Sequence, residues 1–176
     1  MGAFWQPKTN MEKFDDYRDL FPEDGEFDIP ETFGVGLAVD LLEKIHVATD
    51  LVKIKYSDIS ALGHLSSDSE PGFGWQDITV LKLGVVYDFN PVLTLRIGWN
   101  HANSPLRSSE TFINILSPAT IEDHLTMGFS WASSENSELS MTYWHGFENE
   151  IKGDNGSPAH VKMHQDDIGI AYSWLF

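Results

Sequence analysis

The stretch DIGIAYSWLF, residues 167–176, sets the tightest limit on what this chain can fold into. Ile168, Ile170, Tyr172, Trp174 and Phe176 share one parity, and Gly169, Ala171, Ser173 and Leu175 share the other. Period two is the signature of a β-strand. One face is large and apolar and the opposite face is mostly tiny. The pattern recurs at 33–41, 81–87, 93–100, 125–131 and 139–145, with weaker alternation at 2–13 and 44–56. These eight strands are longer than the roughly 5–6 residues usual in globular sheets, and tilted strands of about 9–11 residues are what a bilayer needs.

The connections alternate too. Tight turns are expected near Leu42-Glu43, Phe89-Asn90 and Glu135-Asn136. Long polar connections are expected at 14–29, 58–74, 103–117 and 152–160. Short turns on one side and long loops on the other describe an antiparallel transmembrane β-barrel, all-β, with the apolar face towards lipid and the small face towards a lumen. Tyr87, Phe89, Trp131, Tyr172, Trp174 and Phe176 then form an aromatic girdle at the short-turn rim. A soluble lipid-binding barrel, with the large residues inward, is the alternative, because alternation alone does not say which face is wet.

Composition narrows the function. A net charge of -16 excludes nucleic acid as a partner by phosphate repulsion. With no Cys there is no disulfide, thiolate metal site or Cys nucleophile. The start, MGAFWQPKTNMEKF, has neither the basic leader nor the apolar stretch of a signal peptide. No HExxH motif, zinc spacing, GxSxG elbow or P-loop occurs. His145 beside Tyr143 is the one tempting catalytic pair, but Ser140 and Ser173 fall on the other face, so no enzyme is expected. The acidic run 15–28 lacks EF-hand spacing and reads as a solvated loop, so no metal or other cofactor is expected.

Ionisable residues of lumenal parity are the candidate ligand site: Asp50, Lys82 and Arg96 on consecutive strands, together with Asn100. A cation facing lipid at mid-membrane would cost about 2–4 kcal/mol, which favours this placement. The group can brace the wall as a salt-bridge network or receive an anionic head group. Gly34, Gly36, Gly84, Gly98, Gly128 and Gly169 also point inward, marking curvature or close approach of another backbone. Lys53 and Lys55 are assigned to the outer rim, in reach of lipopolysaccharide phosphates. The loop 103–117 is unusually apolar, and Leu106, Arg107, Phe112, Ile113, Ile115 and Leu116 make it a candidate docking surface for hydrophobic molecules.

Several segments, in order, resemble the FadL-type outer-membrane transporters of long-chain fatty acids and other hydrophobic compounds. They are DIPETFGVGLAVD (28–40), PGFGWQDITVLKLGVVYDFNPVLTLRIGWNHANSP (71–105), FINILSPATIEDHLTMGFSW (112–131), ELSMTYWHGFENEIKG (138–153) and the terminal strand. The resemblance implies a 14-stranded barrel with an N-terminal hatch in its lumen. Residues 1–176 would be one C-terminal segment of about eight strands, without the hatch or the early strands. It further implies passive uptake across the bacterial outer membrane, long-chain fatty acids first and aromatic or alkane hydrocarbons as the alternative. Trp174 and Phe176 would carry the signal read by the barrel-assembly machinery. Loop 58–74 holds no Lys or Arg, which leaves Lys82, Arg96 and Arg107 to meet a carboxylate. Small inward residues cannot fill an eight-stranded lumen, so the expectation is an open wall with edges at 2–13 and 163–176.

Overall fold

The computed structural model describes residues 1–18, 21–154 and 157–175. The terminal Phe176 lies outside the described residues. Eight antiparallel strands form one sheet in strict chain order: β1 (Gly2–Gln6), β2 (Thr32–Leu42), β3 (Ile45–Ile54), β4 (Ile78–Asn90), β5 (Leu93–Ala102), β6 (Asp123–Ser134), β7 (Ser137–Lys152) and β8 (His160–Trp174). Each strand pairs with the next, and β1 does not pair with β8. The sheet is therefore an open wall with two edges. The first edge is shorter than the sequence predicts: after Gln6, Pro7 supplies no N–H, and only an isolated bridge between Thr9 and Ile29 continues the pairing.

The short connections are two-residue turns at 43–44, 91–92 and 135–136. Two of them lie one or two residues beyond the expected positions, because pairing continues through Leu42 and Asn90 across a register shift. A third shift lies between Ala132 and Ser134. An extra residue beside each turn lets one strand bend while the next keeps its parity. At the other end lie the connections 55–77, 103–122 and 153–159, with the segment 7–31 between β1 and β2.

Parity decides the faces as expected. Val35, Leu37, Leu51, Leu83, Ile97, Met127, Ile168 and Ile170 are exposed on one side of the sheet. In water so broad an apolar face would be untenable, and in hydrocarbon it is the proper surface. The described rim aromatics Tyr87, Phe89, Trp131, Tyr172 and Trp174 lie on this face, with Tyr87–Phe89 and Tyr172–Trp174 in ring contact at 6.1 and 5.8 Å. No helix among the described residues is long and apolar enough to cross a membrane, which says nothing against crossing by strands.

The packed interior lies among the long connections rather than under the sheet. Ile59, Ala61, Leu62 and Leu106 are buried there with Asp28, Glu110, Thr111, Asn114 and Ser157. Asn114 is the central tie. Its carbonyl accepts the indole N–H of Trp75 at 2.6 Å, and its amide donates to the carbonyls of Phe73 and Glu110, both at 2.8 Å. Ser157 reaches Thr111 Oγ1 at 2.8 Å and accepts from Phe112 N–H at 2.7 Å. Arg107 donates to the carbonyl of Gly74 at 3.0 Å. Three connections are thus locked into one cap.

Candidate functional site

Register brings part of the expected lumenal group together. Gly36, Asp50, Lys82, Asn100 and His124 are successive cross-strand partners on β2 to β6. Yet Asp50 and Lys82 form no ion pair: the Asp50 carboxylate lies over Gly36, where the missing Cβ leaves room for it. Among the described residues Lys82 has neither an ion-pair nor a hydrogen-bond partner. Asn100 Nδ2 lies 3.2 Å from His124 Nδ1, and the His124 ring lies 5.4 Å from that of Trp144. With Gly98 and Thr126 these residues line a lumenal hollow of about 490 Å³.

Arg96 is not part of this hollow. It opposes Val86 and Gly128, two lumenal rows nearer the short turns, or roughly 13 Å along the strand. Its guanidinium donates to Ser130 Oγ at 2.8 Å, which is linked to Ser140 Oγ at 2.7 Å. At the same level His46 lies between Asp40 and Asp88 at 2.5 and 3.2 Å. The single expected network is therefore two: a polar belt at the short-turn end, and a separate row holding Lys82 without an ion pair among the described residues.

The docking-loop candidates divide as well. Leu106 is 5% exposed and belongs to the cap interior, so it is not free to form a docking surface, whereas half-buried Arg107 is tethered through its Nε–H to the Gly74 carbonyl. Ile113 is partly covered, whereas Phe112, Ile115 and Leu116 are exposed. Lys55 is likewise not a free rim cation: its ammonium bridges Asp77 at 2.7 Å. Burial opposes the charge on Asp77, but Lys55 and the Ser57 N–H and hydroxyl outweigh it and hold the carboxyl at about 2. On the outer wall, His145 and Tyr143 both bond to Asp166. Their cross-strand neighbours are Leu125, Met127 and Ile168, and Ser140 bonds inward to Ser130. The histidine has its carboxylate but no nucleophile.

The feature that sequence reasoning missed lies in the segment 7–31. Phe14, Phe21 and Phe27 make successive ring contacts at 6.0 and 5.4 Å. From the connection 55–77, Trp75 contacts Tyr56 at 5.1 Å and Phe73 at 6.0 Å. The two sets line one hollow of about 680 Å³, joined by Leu116 of the third connection. The segment owes its shape to a tight reversal in which Glu23, Asp24 and Gly25 all have positive φ, and a side chain at Gly25 would strike the backbone of Phe14. Ser60 Oγ donates to Glu23 at 2.5 Å and joins the two segments.

Among the described residues the charged ones lining the hollow are Glu12 and Asp28, with no Lys or Arg. The Asp28 side chain is fully buried, with Lys8 Nζ at 2.8 Å and the Met11 N–H at 2.7 Å. Burial opposes its charge, but these two donors hold it ionised, below the ordinary carboxylate range. Asp28 in turn pushes neighbouring Glu26 upward. The spacing of aromatics in FDDYRDLFPEDGEF could have signalled the hollow, but the carboxylates dominate that stretch.

Solved structures share this architecture. The chain aligns with the Pseudomonas putida toluene transporter TodX at 24% identity and a TM-score of 0.62, covering 85% of this chain and 35% of that one. It aligns with the Ralstonia pickettii toluene transporter TbuX at 18% and 0.56, covering 85% and 34%. For a Pseudomonas aeruginosa FadL homologue the values are 12% and 0.54, covering 84% and 35%. At these identities the likeness concerns the fold, and the chain spans about a third of each structure's length. No curated protein matches the chain by sequence. The family model described as outer membrane protein transport protein (OMPP1/FadL/TodX) matches residues 21–172, and the chain therefore belongs to this family of bacterial outer-membrane β-barrel proteins.

Proposed function

We propose that the chain forms the C-terminal wall and part of the extracellular cap of a channel for small hydrophobic molecules, aromatic hydrocarbons ahead of long-chain fatty acids. The carrying observation is the aromatic hollow in the cap, whose charged lining among the described residues is the acidic pair Glu12 and Asp28. A neutral ring gains apolar and ring-edge contacts there. A fatty carboxylate would meet the free charge of Glu12 and an Asp28 already paired to Lys8, with no Lys or Arg among the described lining residues. Support also comes from the structural likeness to the toluene transporters TodX and TbuX. The order of substrates is thus the reverse of the one first expected.

One observation favours fatty acids as a second reading. Lys82 lines the lumenal hollow beside its cross-strand neighbour Asp50 but makes no ion pair among the described residues, so a carboxylate entering from the cap could be received there. The test is uptake by transporter-deficient cells expressing the full protein, with labelled toluene and labelled oleate in parallel. Toluene uptake well above vector, with oleate unchanged, is expected. Oleate uptake lost in Lys82→Ala would establish the second reading instead, and no uptake of either would remove both.

A further inference from the structure

We infer that the aromatic hollow of the cap prefers hydrophobic cations, aromatic quaternary ammonium or amine compounds, over neutral rings of the same shape, and rejects aromatic carboxylates. This rests on the hollow's role as the entry station of the proposed channel and adds a sign to its selectivity.

Three features converge. The first is the lining: Phe14, Phe21, Phe27, Tyr56, Phe73 and Trp75 enclose the space from two segments. Aromatic faces carry negative potential, and several rings around one volume suit an alkylated ammonium, whose charge is large and weakly hydrated. The second is the wall charge. Glu12 and the buried Asp28 line the hollow, while Lys8 is shared between Asp28 and Glu26 at 2.8 and 3.5 Å and Lys13 donates to the Glu23 carbonyl. The third is the field around the mouth. Residues 8–31 contain nine carboxylates against three Lys or Arg, and residues 55–77 contain four against one lysine. Low-dielectric walls focus such a field, which raises the local concentration of cations and depletes anions. A neutral hydrocarbon gains only from the first feature, and a carboxylate is opposed by the other two.

The test uses the full protein in detergent micelles and three ligands of nearly one shape: benzyltrimethylammonium, its uncharged isostere neopentylbenzene, and phenylacetate. Labelled benzyltrimethylammonium is bound and displaced by each, with binding to protein-free micelles subtracted. The cation is expected to bind about tenfold more tightly than the isostere, with phenylacetate not competing. Phe21→Leu should weaken the cation at least as much as the isostere. Glu12→Gln, at an exposed residue with no structural bond, should weaken the cation about threefold and leave the isostere unchanged. Raising the salt should weaken the cation alone. Equal or tighter binding of neopentylbenzene overturns the inference and leaves the neutral channel standing. Displacement by phenylacetate ahead of the other two overturns both readings.

Discussion

Replacing Asn114 by alanine tests whether the cap is a preformed receptor or a set of independent loops. Asn114 is 0% exposed and makes three hydrogen bonds, to the Trp75 indole, the Phe73 carbonyl and the Glu110 carbonyl. All three cross or close the junction between the connections 55–77 and 103–122. At about 1 kcal/mol net for each bond, the substitution removes about 3 kcal/mol, and buried partners left without water push the value up. That is roughly a hundredfold in the equilibrium between docked and undocked connections, at 1.4 kcal/mol per decade. The loss is local, because no strand of the sheet is touched. Amide hydrogen exchange on the full protein in detergent reads it directly. Amides of 73–75 and 114–117 should lose protection by that factor, while those of β4 to β7 keep theirs. Ligand binding in the hollow should weaken too, since Trp75 and Leu116 line it. Protection in 114–117 within threefold of wild type would refute the central role given to Asn114.

Three further substitutions probe other levels. Asp77 is held at about 2, against 3.8 for a free carboxyl, so the stability that it contributes is complete above pH 4 and is lost as pH falls from about 3.8 to 2; with the pair partly solvated the worth is about 1 kcal/mol. Exchange of the Ser57 amide, corrected for its intrinsic rate, should rise across that window in the wild type and show no such step in Asp77→Asn; identical profiles would sink the assignment. On the lumenal face, Gly34→Ala places a methyl 2.7 Å from the Phe4 ring and 2.9 Å from the Leu51 carbonyl, whereas Gly84→Ala meets nothing within 4 Å. Urea unfolding should show a loss of about 1–3 kcal/mol for the first and a change below about 0.5 for the second, and equal effects would mean that the close approach at Gly34 is not real.

The barrel wall was legible because its signal is repeated and nearly binary. Each strand carries the same parity of large and small residues, so errors at one strand are corrected by the next. Where parity stops, the reading stopped with it. Lys55 was assigned outward by counting from Ile45, but the strand ends at Ile54, and beyond it Asp77 decides where the ammonium goes. Asp50 and Lys82 were correctly placed on neighbouring strands and one face. What could not be read was that Gly36 offers the carboxylate a better position than the lysine does. The hollow was least visible of all. Its rings come from residues 14–27, 56 and 73–75, and no period connects them. The buried Asn114 that orders two of the segments was one polar residue in an apolar loop.

The edges join the fold to the function. β8 is fifteen residues long and β1 five, and the two are not paired with each other. Even if they met, most of β8 would have no partner opposite it. In hydrocarbon each unpaired backbone group costs several kcal/mol, so this wall needs further strands alongside β8 before it can stand in a membrane. The added strands must also widen the lumen, because the face turned towards it is lined by Ala48, Gly84, Gly98, Thr126 and Gly128, which could not fill a barrel of eight strands. Edge satisfaction and lumen width thus call for the same thing, a larger closed barrel to which these residues contribute one continuous arc. The cap differs in this respect. Asn114, Thr111 and Ser157 find their hydrogen-bond partners within the cap itself, so the part proposed to meet substrate first depends less than the wall does on further strands.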